Sequence, residues 1–552
     1  MQTAIALWTV LFLGVWVGGC ADDLSREDPN NTNSSNSNNS NNSNNYNNWN
    51  NWNSWNNADG GVNNWNNTNN ENNTNNENNQ NNENNTNNTN NTNNLNNTNN
   101  TNNTTIDDPP EGWLEQFCED ATAQPVTLFL SADDSGSQGQ PMLAQEWIER
   151  GYCNSLVYHE TRAWEFLNHY TFAYAPAAAG QLRIDPQMKL GEDGQYRLLV
   201  GVVSEFRALE NRRPAHFVFS LDTSGSMSGN PLDNLKSVLR AVASRMRVGD
   251  RVSLVQWSSV QAVLLGGYEV TGPDDPDFLA VVDQLDTTGS TDLHAGLLAA
   301  YDLAHLHYSP DRLTRVFLIS DGGANTGVTD AQIIGEAASM EEGDGIFLIG
   351  IGTGSAYNHE LMDTVTDWGR GAYVYINNEY KASEVFSEER FLSNVDVAAL
   401  DVHLEMTLPP WFAVTVFHGE QISTEPGAVR PQHLAPNDAM LYHTQLVDCS
   451  GSADPETTLL GLRVTWFDPL SREARFSEVQ VSLADLLSGP RIELEKADAL
   501  VHYARYLSGE EIFHQPSRGV QKALLADELE DLYVRTQDPE FQTILDLVDL
   551  CP

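Results

Sequence analysis

Oxygen-bearing side chains in three separate segments have the types and spacing of a site for a hard divalent cation. The first segment, Asp222–Met227, places a carboxylate and two hydroxyls at alternate positions directly after the apolar run Phe217–Leu221. In a tight loop these oxygens turn toward one point, and Mg²⁺, Mn²⁺ and Ca²⁺ all prefer oxygen ligands. The segments Thr288–Asp292 and Asp321–Gly323 add a threonine hydroxyl and a second carboxylate. The candidate metal ligands are Asp222, Ser224, Ser226, Thr291 and Asp321.

The hydroxyls in this set indicate binding through a metal rather than chemistry on a covalent bond. They are neutral, so they hold a cation without cancelling its charge. Gly225 has no Cβ, which lets the loop close tightly. The sequence contains no HExxH, GxSxG or GxxxxGK[ST] motif, so we expect a protein that is not an enzyme.

Alternating strands and helices must place the three segments on one rim. Near-continuous apolar strands separated by helices predict a mainly parallel sheet covered on both faces, in a doubly wound α/β fold. Such sheets bind ligands at the carboxyl ends of their strands. The predicted strands are 217–221, 252–257, 315–320 and 345–351, and helical spacing of apolar residues predicts a helix over 232–246.

The three segments together resemble the metal-ion-dependent adhesion site of the von Willebrand factor type A (vWA) domain. They occur in the order seen in that family, each after the expected strand or turn. The resemblance implies a Rossmann-like vWA domain over 214–392, with the five residues named above as ligands of Mg²⁺, or of Mn²⁺ or Ca²⁺. It also implies a protein partner whose Asp or Glu side chain completes the metal shell.

The regions on either side of this domain have different patterns. Residues 110–213 mix helix and strand signals and predict an α+β flanking region. Short alternating strands over 393–490 predict a β-sandwich-like module, and 491–552 predicts a helical C-terminal region. Arg162–Tyr170 and Leu494–Leu500 resemble the flanks of bacterial envelope proteins that carry a central vWA domain.

The N-terminal region predicts an anchor and a tether. Residues 1–20 are apolar and end in Val17-Gly18-Gly19-Cys20, which resembles a bacterial lipobox with Cys20 as the lipidated residue, although no Lys or Arg precedes the apolar core. We therefore expect a cell-envelope lipoprotein held at a membrane, in the periplasm or on the surface. The Asn-rich region 21–109 has too little apolar surface to fold and predicts a disordered linker.

The cysteines predict disulfides. Of the 5 cysteines, lipidation of Cys20 leaves an even number, and an exported chain meets an oxidising compartment. The sequence alone allows three different pairings of the remaining four cysteines. Proximity along the chain favours Cys118–Cys153 and Cys449–Cys551.

The net charge of the chain argues against a nucleic-acid partner. The 552 residues include 76 acidic and 29 basic side chains, for a net charge of -47, and nucleic-acid binding requires a basic footprint. Two alternatives to metal-bridged protein binding remain open at this point. One is an envelope scaffold in which the metal only stabilises the fold, and the other is a hydrolase with its active site in the flanking regions.

Overall fold

The computed structural model describes residues 117–119, 121–153, 161–323, 327–330, 334, 345–354, 357–368 and 371–551. The segment 1–20 with Cys20, and the predicted linker 21–109, lie outside these residues. Within the described ranges, no helix has the length and apolar character needed to cross a bilayer.

The described elements form three blocks along the chain: a first flank over 126–203, a central block over 215–395 and a second flank over 399–550. The strands are β1 (Val126–Ser131), β2 (Arg183–Leu190), β3 (Tyr196–Val203), β4 (Ala215–Asp222), β5 (Arg251–Trp257), β6 (Gln261–Glu269), β7 (Leu313–Ser320), β8 (Ile346–Gly352), β9 (Ala372–Tyr375), β10 (Ala399–Leu408), β11 (Phe412–Phe417), β12 (Gln421–Ser423), β13 (Gln432–Leu434), β14 (Ala439–Asp448), β15 (Leu459–Phe467) and β16 (Ala474–Ser482). The helices are α1 (Gly139–Glu149), α2 (Ala163–His169), α3 (Asn230–Ala243), α4 (Pro276–Asp283), α5 (Leu293–Leu306), α6 (His359–Trp368), α7 (Glu379–Val385), α8 (Phe391–Val395), α9 (Leu483–Ser488), α10 (Ile492–Leu507), α11 (Arg518–Thr536) and α12 (Pro539–Leu550).

The central block is a doubly wound sheet with strand order β6-β5-β4-β7-β8-β9. All neighbours are parallel except β6, which runs antiparallel to β5 at one edge. Successive side chains of the central strand β4 enter opposite cores: Phe217 and Phe219 pack with α3, α4, α7 and α8, while Val218 packs with α5 and α6. Helices therefore cover both faces, and the predicted α/β fold class is confirmed.

The two flanks build one β-sandwich together. One sheet has the order β12-β1-β10-β15-β16, with β13 also paired to β10, and the other has the order β11-β14-β3-β2. Strand β1 pairs antiparallel with β10 (Val126 opposite Leu408), and β3 with β14 (Tyr196 opposite Leu446). We expected 110–213 and 393–490 as separate regions. Periodicity shows where strands lie, but their pairing depends on contacts across the whole intervening sheet.

A helical layer covers one side of the sandwich. Helices α1 and α2 from before the central sheet share a buried core with α10, α11 and α12 from the C-terminal end. Phe166 of α2 meets Tyr503 of α10 edge-on, with ring centroids 5.7 Å apart, and Leu529 and Ile544 extend this core. The C-terminal residues thus form three helices, which pack on elements from the other flank.

The disulfide pairing predicted from sequence proximity is wrong. The structure joins Cys118 to Cys449 and Cys153 to Cys551, each with a Cα–Cα distance of 5.5 Å. The start of the described chain lies beside the β11–β14 end of the sandwich, where Trp411 N donates to the Thr122 carbonyl (2.8 Å). Because long-range strand and helix packing decides which cysteines meet, distance along the chain is a poor guide to pairing.

Both ends of the central block lie at the same end of its sheet. Leu313 N donates to the Pro214 carbonyl (2.9 Å), just before β4 begins. The Arg315 Nε donates to the Val395 carbonyl (3.1 Å), at the end of α8. The block therefore enters and leaves the sandwich near the amino ends of β4 and β7, opposite the rim where its candidate metal ligands lie.

Candidate metal centre

The first loop begins where the central strand ends. Strand β4 ends at Asp222, and a 3₁₀ turn follows over Gly225–Met227. Ser224 N donates to Asp222 Oδ1 (2.9 Å), and the hydroxyl oxygens of Ser224 and Ser226 lie 3.1 Å apart. The turn thus brings the two hydroxyls next to each other, beside the carboxylate, as their alternate spacing predicted.

The second loop is joined to the first by its backbone. Thr288 N donates to the Thr223 carbonyl (2.7 Å), and Gly225 N donates to the Gly289 carbonyl (3.1 Å). Asp292 then caps α5 by accepting from Ala295 N (3.1 Å), so Thr291 sits at the helix entrance. The loops of Ser224 and Thr291 are consequently fixed relative to each other.

The third loop is joined to the first through a side chain. Strand β7 ends at Ser320, whose hydroxyl donates to Asp222 Oδ2 (2.7 Å). The next residue, Asp321, accepts at Oδ1 from Gly323 N (3.1 Å). The second and third loops are therefore both bonded to the first, next to the carboxyl ends of β4 and β7.

Gly323 leaves open a small space that two candidate ligands face. A Cβ added at this glycine would lie 3.1 Å from Asp321 Oδ1 and 4.0 Å from Thr291 Oγ1. The threonine hydroxyl and the carboxylate therefore approach one point, from different loops. An all-oxygen set of two carboxylates and hydroxyls around such a space fits a hard divalent cation.

The candidate ligands are buried, except for one. Asp222 and Ser224 are fully buried, Thr291 is 1% exposed and Asp321 7% exposed. Ser226 is exposed. Four of the five candidate ligands are therefore buried, and the site is open to solvent on the side of Ser226.

Burial opposes the negative charge on Asp222. It raises the pKa of this carboxyl to about 6, and the neighbouring charge of Asp321 acts in the same direction, against hydrogen bonds from Ser320 and Ser224. Two carboxylates close together in a buried site repel each other. A divalent cation between them would offset that cost, which is a further sign that the residues fit one.

The described residues of the rim around the site include no basic side chain. The described loop residues that surround it, 223–230, 258–260, 286–292, 321–323, 327–330, 353–354 and 357–359, contain no Lys or Arg. They do contain Asp286, Asp292 and Asp330 in addition to Asp321. The rim itself is therefore acidic.

Sequence reasoning missed the residues that hold the ligands in place. Ser320 is the clearest case, because its hydroxyl orients Asp222 and also accepts from Gly322 N (3.0 Å). A hydroxyl at the last position of a buried strand, next to a candidate ligand, was a readable signal. Gly323 gave no such signal, since its role depends on the approach of another loop.

Comparison with known proteins agrees with this geometry. Residues 217–389 match the family described as the von Willebrand factor type A domain. The chain is 26% identical over 349 residues to the uncharacterized protein YfbK of Escherichia coli (strain K12), covering 58% of this chain and 59% of YfbK. It is 24% identical over 238 residues to the uncharacterized protein sll0103 of Synechocystis, covering 42% of this chain and 55% of that protein.

Among solved structures, the ArnB paralog VWA2 from Sulfolobus acidocaldarius is similar to this chain, with 17% identity and a TM-score of 0.37. That match covers 67% of this chain and 96% of the other. The chain spans less than two thirds of the length of the curated relatives YfbK and sll0103. The central block of the chain contains a vWA domain.

Proposed function

We propose that the vWA domain binds a divalent cation through Asp222, Ser224, Ser226, Thr291 and Asp321, and that this cation captures a carboxylate of a protein partner. The observation that carries the proposal is that the second and third loops are both bonded to the first, which begins at the buried Asp222. vWA domains commonly bind a divalent metal at such a site, and they often mediate protein interactions. Mg²⁺ is the cation we favour, with Mn²⁺ and Ca²⁺ as alternatives of the same oxygen preference.

Each residue has a separate task in this proposal. Asp222 and Asp321 supply the negative charge, while Ser224, Ser226 and Thr291 supply neutral oxygens. Ser320 fixes the rotamer of Asp222 by donating to Oδ2 (2.7 Å). When bound, the cation would supply a positive charge, and the exposed Ser226 marks the side of the site that a partner can reach.

The charge of the rim supports a role for the cation in partner binding. An acidic group of a partner meets no Lys or Arg among the described residues of the five loops around the site. Like charges brought together across an interface cost free energy. A partner carboxylate would therefore bind here only with the cation present, and we expect basic or neutral residues around that carboxylate.

We also propose that the protein is a lipoprotein of the bacterial cell envelope, linked at Cys20 to a membrane. The lipobox-like Val17–Cys20 supports this, and so do the disulfides Cys118–Cys449 and Cys153–Cys551, because disulfides persist in oxidising compartments. Mass spectrometry of the N-terminal peptide tests it. A diacylglycerol-modified Cys20 is expected, and an unmodified chain starting at Met1 would contradict it.

Calorimetric titration with Mg²⁺ tests the metal site. We expect Asp222→Asn to lose binding, because the amide removes a negative charge and turns one acceptor into a donor. Asp286→Asn is the matched control, since it neutralises an exposed carboxylate of the same rim and should bind as the wild type does. Equal binding by wild type and Asp222→Asn would contradict the assignment.

Pull-down from envelope extract tests the partner. The wild-type protein should retain a partner in Mg²⁺ and release it in EDTA or in excess acetyl-aspartate amide, whereas acetyl-asparagine amide should have no effect. A partner retained in EDTA, together with a lower melting temperature in EDTA, would instead favour a metal-stabilised scaffold. Binding, rather than catalysis, is thus the role we propose.

A further inference from the structure

A short segment after β8 supports the loop that carries Asp321. We call residues 353–354 and 357–359 the support segment. At one end of it, a Cβ added at Gly354 would lie 3.7 Å from Asp321 Cβ. At the other end, Asn358 N donates to the Asp321 carbonyl (3.0 Å). Asp321 is therefore bonded to this segment at Asn358 and lies close to it at Gly354, so we expect movement of the segment to shift the carboxylate.

A flanking helix fixes the far end of the support segment. Arg162, at the start of α2, donates from Nη2 to His359 Nε2 (2.8 Å). Its Nη1 contacts Glu165 Oε1 (2.7 Å) and forms an ion pair with Asp363 of α6. Because a guanidinium can only donate, His359 Nε2 accepts, and the ring proton lies on Nδ1, 3.1 Å from the Tyr373 hydroxyl. His359 is thus held from two sides.

Arg162 is itself held rigidly by the flank. Arg162 N donates to Gln140 Oε1 (2.8 Å), and Gln140 N donates to Glu165 Oε2 (2.5 Å). Helices α1 and α2 therefore fix both the backbone and the charge partner of this arginine. Its side chain is 13% exposed, and Glu165 is fully buried. A contact made by Arg162 has little freedom to drift.

The near end of the support segment has a second anchor. The hydroxyl of Tyr375, the last residue of β9, donates to the Gly354 carbonyl (3.0 Å). The Tyr375 side chain is 1% exposed and belongs to the core that also contains Met142 and Leu143 of α1. This anchor therefore connects the support segment with the packing between the central sheet and the flank.

We propose that Arg162 and Tyr375 are positioning residues for the metal centre. They hold the support segment against Asp321 and so set the cation affinity, Arg162 from a helix that lies outside the vWA domain. Neither residue touches the candidate ligands directly. The inference rests on the proposed function, since it assumes that Asp321 binds a cation.

Mg²⁺ titration of the full-length chain with Arg162→Gln tests the first anchor. Gln cannot bridge His359 and Asp363 together, so we expect binding to weaken by about 2- to 30-fold, the usual range for residues that act through others. Arg197→Gln is the matched control: Arg197 is 19% exposed and pairs with Asp193 in the β2–β3 hairpin. It should leave Mg²⁺ binding unchanged.

The unfolding midpoint separates positioning from stability. A variant that melts earlier but binds Mg²⁺ as tightly as wild type would show a purely structural role for Arg162 and overturn the inference. Absence of Mg²⁺ binding by wild type would overturn the proposed function as well, so the two failures are distinct.

Tyr375→Phe tests the second anchor and serves if Arg162→Gln does not fold. It removes only the hydroxyl that bonds Gly354, and we expect weaker Mg²⁺ binding with the fold intact. Tyr442→Phe is its control, because Tyr442 is equally buried, at 1% exposure, and its hydroxyl lies against the Met440 sulfur in the sandwich (3.6 Å). Equal Mg²⁺ affinity in both variants would overturn the role of Tyr375.

Discussion

At the scale of the residue, the candidate metal centre depends on groups that orient the ligands as much as on the ligands. Asp222 accepts hydrogen bonds at both carboxylate oxygens, from Ser224 N and from the Ser320 hydroxyl. Each oxygen keeps a further lone pair. The carboxylate is thus fixed in one rotamer before any cation arrives, which lowers the entropy cost of binding.

Gly323→Ala should weaken metal binding with little effect on folding. The new Cβ would lie 3.1 Å from Asp321 Oδ1, so the carboxylate must move by a few tenths of an ångström. Mg²⁺ titration and the melting temperature, measured together, check this. Gly519→Ala, in open space within α11, is the control and should bind Mg²⁺ normally. Unchanged affinity in Gly323→Ala would show that this space is not used.

Asp438→Asn should stabilise the protein at alkaline pH more than at acidic pH. Burial raises the pKa of this carboxyl from 3.8 to about 7, and the charge of Asp134 acts in the same direction. A group with a raised pKa contributes stability below its unfolded pKa and loses it as the pH rises through the folded pKa. The penalty in wild type is therefore complete above about pH 7 and is absent in the amide.

Melting temperatures of wild type and Asp438→Asn at acidic and alkaline pH check this expectation. Asp527→Asn, which changes an exposed carboxylate of α11, controls for the loss of one charge. A difference between wild type and Asp438→Asn that is the same at both pH values would contradict the raised pKa.

Individual residues show how much of the candidate site could be predicted from the sequence. The five candidate ligands were predicted from hydroxyls and carboxylates at strand and helix ends, together with the resemblance to the vWA metal site, because ligands must have particular chemistry. Arg162 and Tyr375 were not, since neither their type nor their position in the chain points to Asp321. Their relation to it depends on how α2 and β9 pack, which no local pattern encodes.

At the scale of the element, buried parallel strands were the easiest to predict. Strand β4 was expected at 217–221 and runs over Ala215–Asp222, because a strand covered on both faces is apolar along its length. The edge strand β6, Gln261–Glu269, was not predicted. Its residues are largely exposed or half-buried, so it lacks the apolar run that marked its neighbours.

The C-terminal helices should depend on their disulfide. Replacing Cys153 and Cys551 together by serine should lower the unfolding free energy by about 2–5 kcal/mol, since the crosslink restricts the unfolded chain. We expect faster amide hydrogen exchange in α11 and α12, with the central strand β4 unaffected. Replacing Cys118 and Cys449 is the comparison, because that bond joins the start of the described chain to the sandwich. Exchange that rises equally in β4 would contradict local coupling.

At the scale of the whole molecule, the vWA domain is inserted into a sandwich that needs both flanks. Sandwich strands β1, β2 and β3 come before the insertion, and β10 to β16 come after it. Their side chains share one core, in which Leu198 and Val200 meet Met406 and Tyr442. Neither flank holds a complete core by itself, so the sandwich forms only when the two flanks pack together.

A fragment limited to 393–552 should therefore fail to fold. Without β3, strand β14 loses the neighbour that covers one of its edges, and the apolar face of the sandwich is left incomplete. Circular dichroism and hydrogen exchange of this fragment check the expectation, with 117–552 as the control. A cooperative thermal transition in 393–552 alone would show that the C-terminal flank is independent.

The insertion also has a consequence for the order of events during synthesis. Strands β2 and β3 can pair with each other as soon as they emerge, but β1 and β3 also pair with β10 and β14, which follow only after the whole central block. That block has its own sheet, and its two ends lie together near Pro214 and Val395. Once it folds, it replaces a long loop with a short one and lowers the entropy cost of joining the flanks. The folded vWA domain would thus keep the two halves of the sandwich close together until their strands pair.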